Sequence, residues 1–164
     1  MEPKWLRKKL IKPELIEKKL AALRQKNLTL ATLNGSFDLL HAGHLFIIYE
    51  ASKQADKLLI ALNTDRSIQC YKRSDRPIIP LRFRLEMIAA LQWVDFVTWF
   101  DEVDPIALLE KIKPDVHVNG SEYGNECVEA DVVKKNGGRI HLVSRIPSLS
   151  TSSIIEKIKG LGCD

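Results

Sequence analysis

The chain has 164 residues, 45% of them hydrophobic and 28% charged, with a formal net charge of +4. That is about one domain's length with material for a substantial core, and no apolar run reaches the ~18 residues a membrane span requires. The positive excess is small, sits partly in Lys4, Arg7, Lys8, Lys9 and Lys12, and is followed by no basic run interleaved with aromatics, so an anionic small substrate explains it as well as a nucleic acid does; for the chain as a whole neither a nucleic-acid nor a membrane partner is expected.

In chain order, residues 1–27 read as an N-terminal helical extension. Pro13 suits a first helical turn, and Leu15, Ile16, Leu20 and Leu23 fall near one face at helical spacing over 13–23. That face is expected to pack on the domain or on a second subunit. Strands and helices then alternate. Strands are expected over 28–33, 57–62, 96–99, 116–118 and 139–143, and helices over 44–54, 81–91, 105–112, 126–135 and 151–159. Residues 63–76 read as a polar, basic loop. Asn136-Gly137-Gly138 is a suitable stop for the helix before it.

Strands without clean polar alternation, separated by helices, imply a parallel sheet buried on both faces. The expected fold is therefore α/β, a Rossmann-like doubly wound five-stranded sheet. Ligands of such sheets bind beyond the carboxyl ends of the strands, which puts His41, His44, Asn63, Asn119 and Ser150 on one rim. Cys70, Cys127 and Cys163 are widely spaced and suggest neither a disulfide framework nor a zinc site. Met1 to Leu10 is charged and lacks the apolar stretch of a signal peptide, so a cytoplasmic location is expected. No Gly-x-Gly-x-x-Gly turn follows the first strand, which argues against a dehydrogenase.

The densest chemistry lies in Asn34-Gly35-Ser36-Phe37-Asp38-Leu39-Leu40-His41-Ala42-Gly43-His44, between an expected strand and an expected helix. Two imidazoles and a helix start aimed at one point suit a polyphosphate. Near the C-terminus, Ser150-Thr151-Ser152 opens the last helix with hydroxyls and backbone N–H groups suited to phosphate oxygens, while Ser153-Ile154-Ile155-Glu156 has the spacing of a capping box. No carboxylate cluster suggests a dedicated metal site.

Residues 35–44 match G-x-F-D-x-x-H-x-G-H, the signature of the nucleotidyltransferase superfamily that includes the cytidylyltransferases. Residues 145–154, Arg-Ile-Pro-Ser-Leu-Ser-Thr-Ser-Ser-Ile, resemble its second signature, R-T-x-G-I-S-T-T-x-I. Within the superfamily the chain is similar to the adenylyltransferase domain of the bacterial heptose-phosphate pathway, over about residues 28–159. Asn63-Thr64-Asp65 stands for its N-S-D, residues 72–77 for K-G-D-S-R-P, Gly120-Ser121-Glu122-Tyr123 for G-G-D-Y, and Asn136-Gly137-Gly138 for N-G-G. Departures are Ser36 for valine, Asn119 for lysine and Glu122 for aspartate. The last two bear on the choice of base and acceptor.

The resemblance implies a nucleotidyltransferase domain over 28–164. Its reaction would join D-glycero-D-manno-heptose 1-phosphate to the AMP of ATP, giving ADP-heptose for lipopolysaccharide core assembly, and pyrophosphate. It implies His41, His44 and Lys72 at the reacting phosphates. Gly35, Ser36, Phe37, Asp38, Gly43, Asn119, Gly120, Ser150, Thr151 and Ser152 would hold the nucleotide. Asp38, Lys72, Arg84 and Arg145 would hold the sugar 1-phosphate. Mg²⁺ would arrive with the triphosphate. The sugar-kinase domain often fused to this domain does not precede it here, so a separate kinase and phosphatase are expected, and family habit suggests a homodimer. The alternatives are a cytidylyltransferase acting on glycerol 3-phosphate and a non-catalytic nucleotide-binding module.

Overall fold

The computed structural model describes residues 3–124, 126–144 and 150–161. Its centre is a sheet of five parallel strands: β1 (Leu30–Gly35), β2 (Lys57–Asn63), β3 (Phe96–Phe100), β4 (Val116–Gly120) and β5 (Arg139–Val143), in the order β3-β2-β1-β4-β5. In β2, Leu58, Ile60 and Leu62 join one apolar cluster, while Leu59 and Ala61 join a second on the opposite face. A strand covered on both faces needs apolar residues at every position, which is why the sequence shows no alternation.

Helices α3 (Ala42–Ser52) and α5 (Leu81–Ala90) supply Ile48, Leu85 and Ile88 to the first cluster. Helix α6 (Ile106–Ile112) supplies Leu108 and Ile112 to the second. Helix α7 (Ala130–Lys135) ends as anticipated: Gly137 takes φ +84°, its N–H donates to the Lys134 carbonyl, and the Gly138 N–H donates to that of Val133. This pair of bonds is the Schellman arrangement, which a glycine accommodates without Cβ strain.

Strand order, not strand direction, reverses between β1 and β4. From β1 the chain winds outward through β2 to β3, then returns to place β4 on the other side of β1. The carboxyl ends of β1 and β4 therefore splay apart at the switch point, where a ligand can enter.

Several local expectations need correction. The N-terminal segment is not one helix over 13–23. It forms α1 (Lys4–Lys9), a 3₁₀ turn (Pro13–Leu15) and α2 (Ile16–Arg24). Leu15 lies in the 3₁₀ turn and is 50% exposed, whereas Ile16 and Leu20 are buried in the second cluster. Between the helices the Ile11 N–H donates to the Val97 carbonyl at 2.9 Å, so this segment covers the open edge of β3. The loop expected over 63–76 contains α4 (Asp65–Tyr71), capped by Thr64, whose Oγ1 accepts the Ser67 N–H at 3.0 Å. A helix of barely two turns offers too little periodicity to see in sequence. The helix expected over 126–135 begins only at Ala130. Among the described residues no helix is long and apolar enough to cross a membrane.

Candidate active site

The turn from β1 into α3 brings the Asn34–His44 stretch together. Phe37 takes φ +45° and tucks its ring beneath Gly35, where an added Cβ would lie 3.2 Å from it. The chain can then run directly to His41, the extended N-cap of α3. His44 follows one turn on, and the two imidazoles stack at 3.8 Å between centroids, 21° from parallel. Phe37 backs the pair, 5.2 Å from the His44 ring.

The imidazoles form part of the wall of a cavity of about 250 Å³ at the switch point. Strand β1 and its turn contribute Asn34, Gly35, Ser36 and Phe37, and α3 contributes Gly43, Phe46 and Ile47. Asn119, Gly120, Glu122 and Tyr123 come from the end of β4 and the 3₁₀ turn beyond it (Ser121–Tyr123). Ser150, Thr151 and Ser152 close it from the start of helix α8 (Thr151–Lys159), and Lys72 from the end of α4. Of the fifteen residues singled out in the sequence, the cavity therefore gathers twelve.

Helix α8 spans the expected residues, but its capping box pairs Ser150 with Ser153 and not Ser153 with Glu156. The Ser150 Oγ accepts the Ser153 N–H at 3.1 Å, and Ser153 Oγ accepts the Ser150 N–H at 3.0 Å. Ser153 is thus the third residue of the helix and not its cap. The pairing leaves the Thr151 and Ser152 amides at the open end of the helix, where a phosphate is favoured.

Lys72 donates to Ser36 Oγ at 3.3 Å across the cavity mouth. Partial desolvation at the mouth and the nearby Arg76 guanidinium lower its pKa, against the pull of Asp38.

Asp38 and Arg84 stand behind the wall and not on it. Asp38 is fully buried, accepts Arg76 Nε–H at 2.7 Å, and takes the Ile78 and Ile79 N–H groups at 2.9 and 2.8 Å. Burial alone would raise its pKa, but the amides of Ile79 and Ile78 and the Arg76 guanidinium outweigh it and hold the carboxyl below its usual value. Arg84 is also fully buried. It donates to the carbonyls of Ile79, Ser36 and Asn63 at 2.8, 2.6 and 2.9 Å and to Asp65 at 2.7 Å. One guanidinium thus ties the β1 turn, the end of β2 and the start of α5 together. Among the described residues it braces the turn and does not line the cavity. Arg145 lies outside the described residues.

On the opposite wall Asn119 is buried and donates Nδ2–H to Glu129 at 3.2 Å, which turns its amide oxygen away from that carboxylate. A Cβ at Gly120 would collide with the Glu122 carboxylate. His117, two residues before Asn119, is sealed in the sheet with Nδ1 2.8 Å from Thr32 Oγ1. Burial lowers its pKa to about 4 against the opposing Glu129 charge, so it is neutral and structural. Asn63 is likewise buried, held by Ser67 at 3.0 Å, and leaves the rim on which its strand end had placed it.

Sequence reasoning passed over Asn34, Tyr123, Phe46 and Ser144 as wall residues, while Glu122, which it put on the nucleotide rim, does line the wall. Asn34 adjoins the motif, and Tyr123 falls within the stretch matched to G-G-D-Y, so both signals were present. Phe46 and Ser144 carry no local signal. Among the described residues no group of three or more His, Cys, Asp or Glu side chains could hold a metal ion.

The cytidylyltransferase-like family model matches residues 32–157. The bifunctional protein HldE of Pseudomonas entomophila (strain L48) is 41% identical over 137 residues, which is 83% of this chain and 29% of that relative. The HldE of Hahella chejuensis (strain KCTC 2396) is 40% identical over 127 residues, 77% of this chain and 27% of that relative. The chain thus spans under a third of the length of the curated relatives it matches. A crystal structure titled as a lipopolysaccharide core biosynthesis protein from Thermoplasma volcanium GSS1 superposes with a TM-score of 0.59 at 26% identity, covering 73% of this chain and 97% of that one.

Proposed function

The chain belongs to the cytidylyltransferase-like family, and from that premise we propose that it transfers AMP from ATP to D-glycero-D-manno-heptose 1-phosphate. The products are ADP-heptose and pyrophosphate. An oxygen of the sugar phosphate bonds to the α-phosphorus of ATP, and the bond from that phosphorus to the oxygen bridging to the β-phosphorus breaks. The attacking oxygen is already anionic, so no protein nucleophile and no general base are needed. Positioning and charge neutralisation do the catalysis.

The observation that carries this reading is the stacked imidazole pair facing the open start of α8 across one cavity, with Lys72 at its mouth. On this reading the imidazoles and Lys72 offset the charge that builds on the α-phosphate oxygens. Ser150, Thr151 and Ser152 hold the triphosphate, which enters as its Mg²⁺ complex. Asn119 and Gly120 lie where the base would be read. The resemblance to heptose-phosphate adenylyltransferases and the HldE relatives supports the choice of ATP and of a heptose acceptor. A sugar kinase and a phosphatase activity would then supply that acceptor.

The test is pyrophosphate release with Mg²⁺, crossing ATP, CTP and GTP against heptose 1-phosphate and glycerol 3-phosphate. Turnover is expected only with ATP and heptose 1-phosphate. His41→Ala should lower kcat by about 10²–10³, the usual cost of one preorganised transition-state donor. Turnover with CTP and glycerol 3-phosphate alone would make this a cytidylyltransferase. ATP binding without turnover in any pairing would leave a nucleotide-binding module.

A further inference from the structure

Glu129 is a buried carboxylate with no part in the transfer chemistry. It is 6% exposed and stands at the N-cap of α7, where a side-chain oxygen commonly takes an amide of the first turn. Its side chain makes no such bond. Oε2 instead accepts Nδ2–H of Asn119 at 3.2 Å, ten residues back and across at the end of β4. The other polar groups around Glu129 carry no positive charge. His117 lies close enough to feel the carboxylate, but burial holds its pKa to about 4 and the imidazole is neutral. Burial also raises the pKa of the neighbouring Cys127 thiol. A carboxylate set among neutral groups costs more to bury than one facing a cation. What it fixes in return is the Asn119 side chain.

A terminal amide can face either way, with oxygen or nitrogen forward. A carboxylate accepts and does not donate, so only the Nδ2 side of Asn119 can meet it. Oδ1 is then left for the nucleotide cavity, which Asn119 lines next to Gly120, on the wall across from the stacked imidazoles. Asn119 is only 5% exposed, so water offers that oxygen little compensation. An acceptor held there pairs with an exocyclic amine. Against a ring carbonyl it meets a second acceptor, and both stay unpaired.

We infer that Glu129 is a positioning residue for nucleobase selection. By holding Asn119 with its oxygen toward the cavity, it favours a nucleotide whose base carries an exocyclic amine over one with a carbonyl at the same place. This rests on the reading of the cavity as a nucleotide site with the base at the end of β4. It does not rest on the choice of ATP over CTP, because adenine and cytosine both carry the amine, whereas hypoxanthine and uracil both carry the carbonyl. Glu129 lies outside both signature motifs and does not itself line the cavity.

The experiment is calorimetric titration of the full-length chain with the Mg²⁺ complexes of ATP, ITP, CTP and UTP. Wild type, Glu129→Gln and Glu129→Leu are compared, with melting temperatures checked. ATP and ITP differ at the edge of the base alone, as do CTP and UTP. Wild type should bind the amine member of its preferred pair about ten- to a hundredfold more tightly, the usual penalty for leaving a buried acceptor unpaired. Glu129→Gln keeps the side-chain shape, but its amide donates as well as accepts, so Asn119 can turn over. The ratio should fall toward one, chiefly because the carbonyl member binds more tightly. Glu129→Leu removes the anchor and puts an apolar group of similar volume in place of the charge, and it should lose the ratio too. A Glu129 that only supported the fold would weaken both members alike and leave the ratio standing. A wild-type ratio near one, or a ratio kept in either folded variant, would overturn the inference. Preference for CTP over UTP with no binding of ATP, lost in the variants, would uphold it and remove the adenylyl reading. Failure of wild type to bind any of the four would overturn both.

Discussion

Three donors converge on the buried Asp38, and they keep its carboxylate charged. The Ile78 and Ile79 amides and the Arg76 guanidinium together fix the 76–79 segment. Asp38→Asn would leave the Arg76 charge buried without a counter-charge. The expected loss is about 3–5 kcal/mol of stability, measured by urea unfolding at neutral pH. The pH dependence follows from the sign of the shift. The folded-state pKa lies below the unfolded carboxyl value of about 3.9, so the stabilisation is complete above that value. It is lost as pH falls through the folded pKa. Wild type should therefore lose stability more steeply than Asp38→Asn as pH drops below about 4. Parallel slopes would mean that Asp38 is not held as described. Sequence alone marked Asp38 and Arg84 as important but assigned them to the substrate. A charged residue near a motif looks the same in sequence whether it faces the cavity or braces its floor. Only burial separates the two, and burial depends on α5 and residues 76–79 folding over the β1 turn.

At the scale of elements, α8 stands apart from the other helices. None of its described residues is buried, whereas α3, α5 and α6 all seat side chains in the core. It is held by its capping box and its contacts along the cavity, so its amides should open readily without ligand. ATP bound at the α8 start should add to that weak hold. At ATP about ten times its Kd, amide hydrogen exchange over 151–156 should slow roughly tenfold, with β1 and β2 unchanged. Equal exchange with and without ATP would place the triphosphate elsewhere. The existence of α8 was readable from periodicity and its polar start, yet its cap was not. Ser150 and Ser153 are both good caps, and the choice between them depends on where the chain arrives from β5. Helix α4 escaped notice altogether, because seven residues carrying Arg66, Ser67 and Gln69 show no apolar stripe.

For the whole molecule, the N-terminal segment belongs to the same core as the sheet. Ile16 and Leu20 pack with Leu59, Phe100 and Ile112, and Leu6 lies in the cluster on the other face. Leu20→Ala should cost about 2–5 kcal/mol, as expected for a fully packed leucine and not for one in an appended arm. A change below 0.5 kcal/mol in urea unfolding would contradict that packing. By itself the sequence determined the parallel α/β fold, the order of its five strands and of the longer helices between them, and the two segments that carry the chemistry. Those features follow from local periodicity and from motifs written in consecutive residues. Tertiary structure alone decided that Lys72, Asn119 and Ser152, far apart in the chain, meet in one cavity. It also decided that Asp38, Asn63 and Arg84 lie beneath the surface. Such facts depend on the reversal of strand order between β1 and β4 and on which face of each element turns inward. Contacts between distant segments fix both, and no local stretch of sequence contains them.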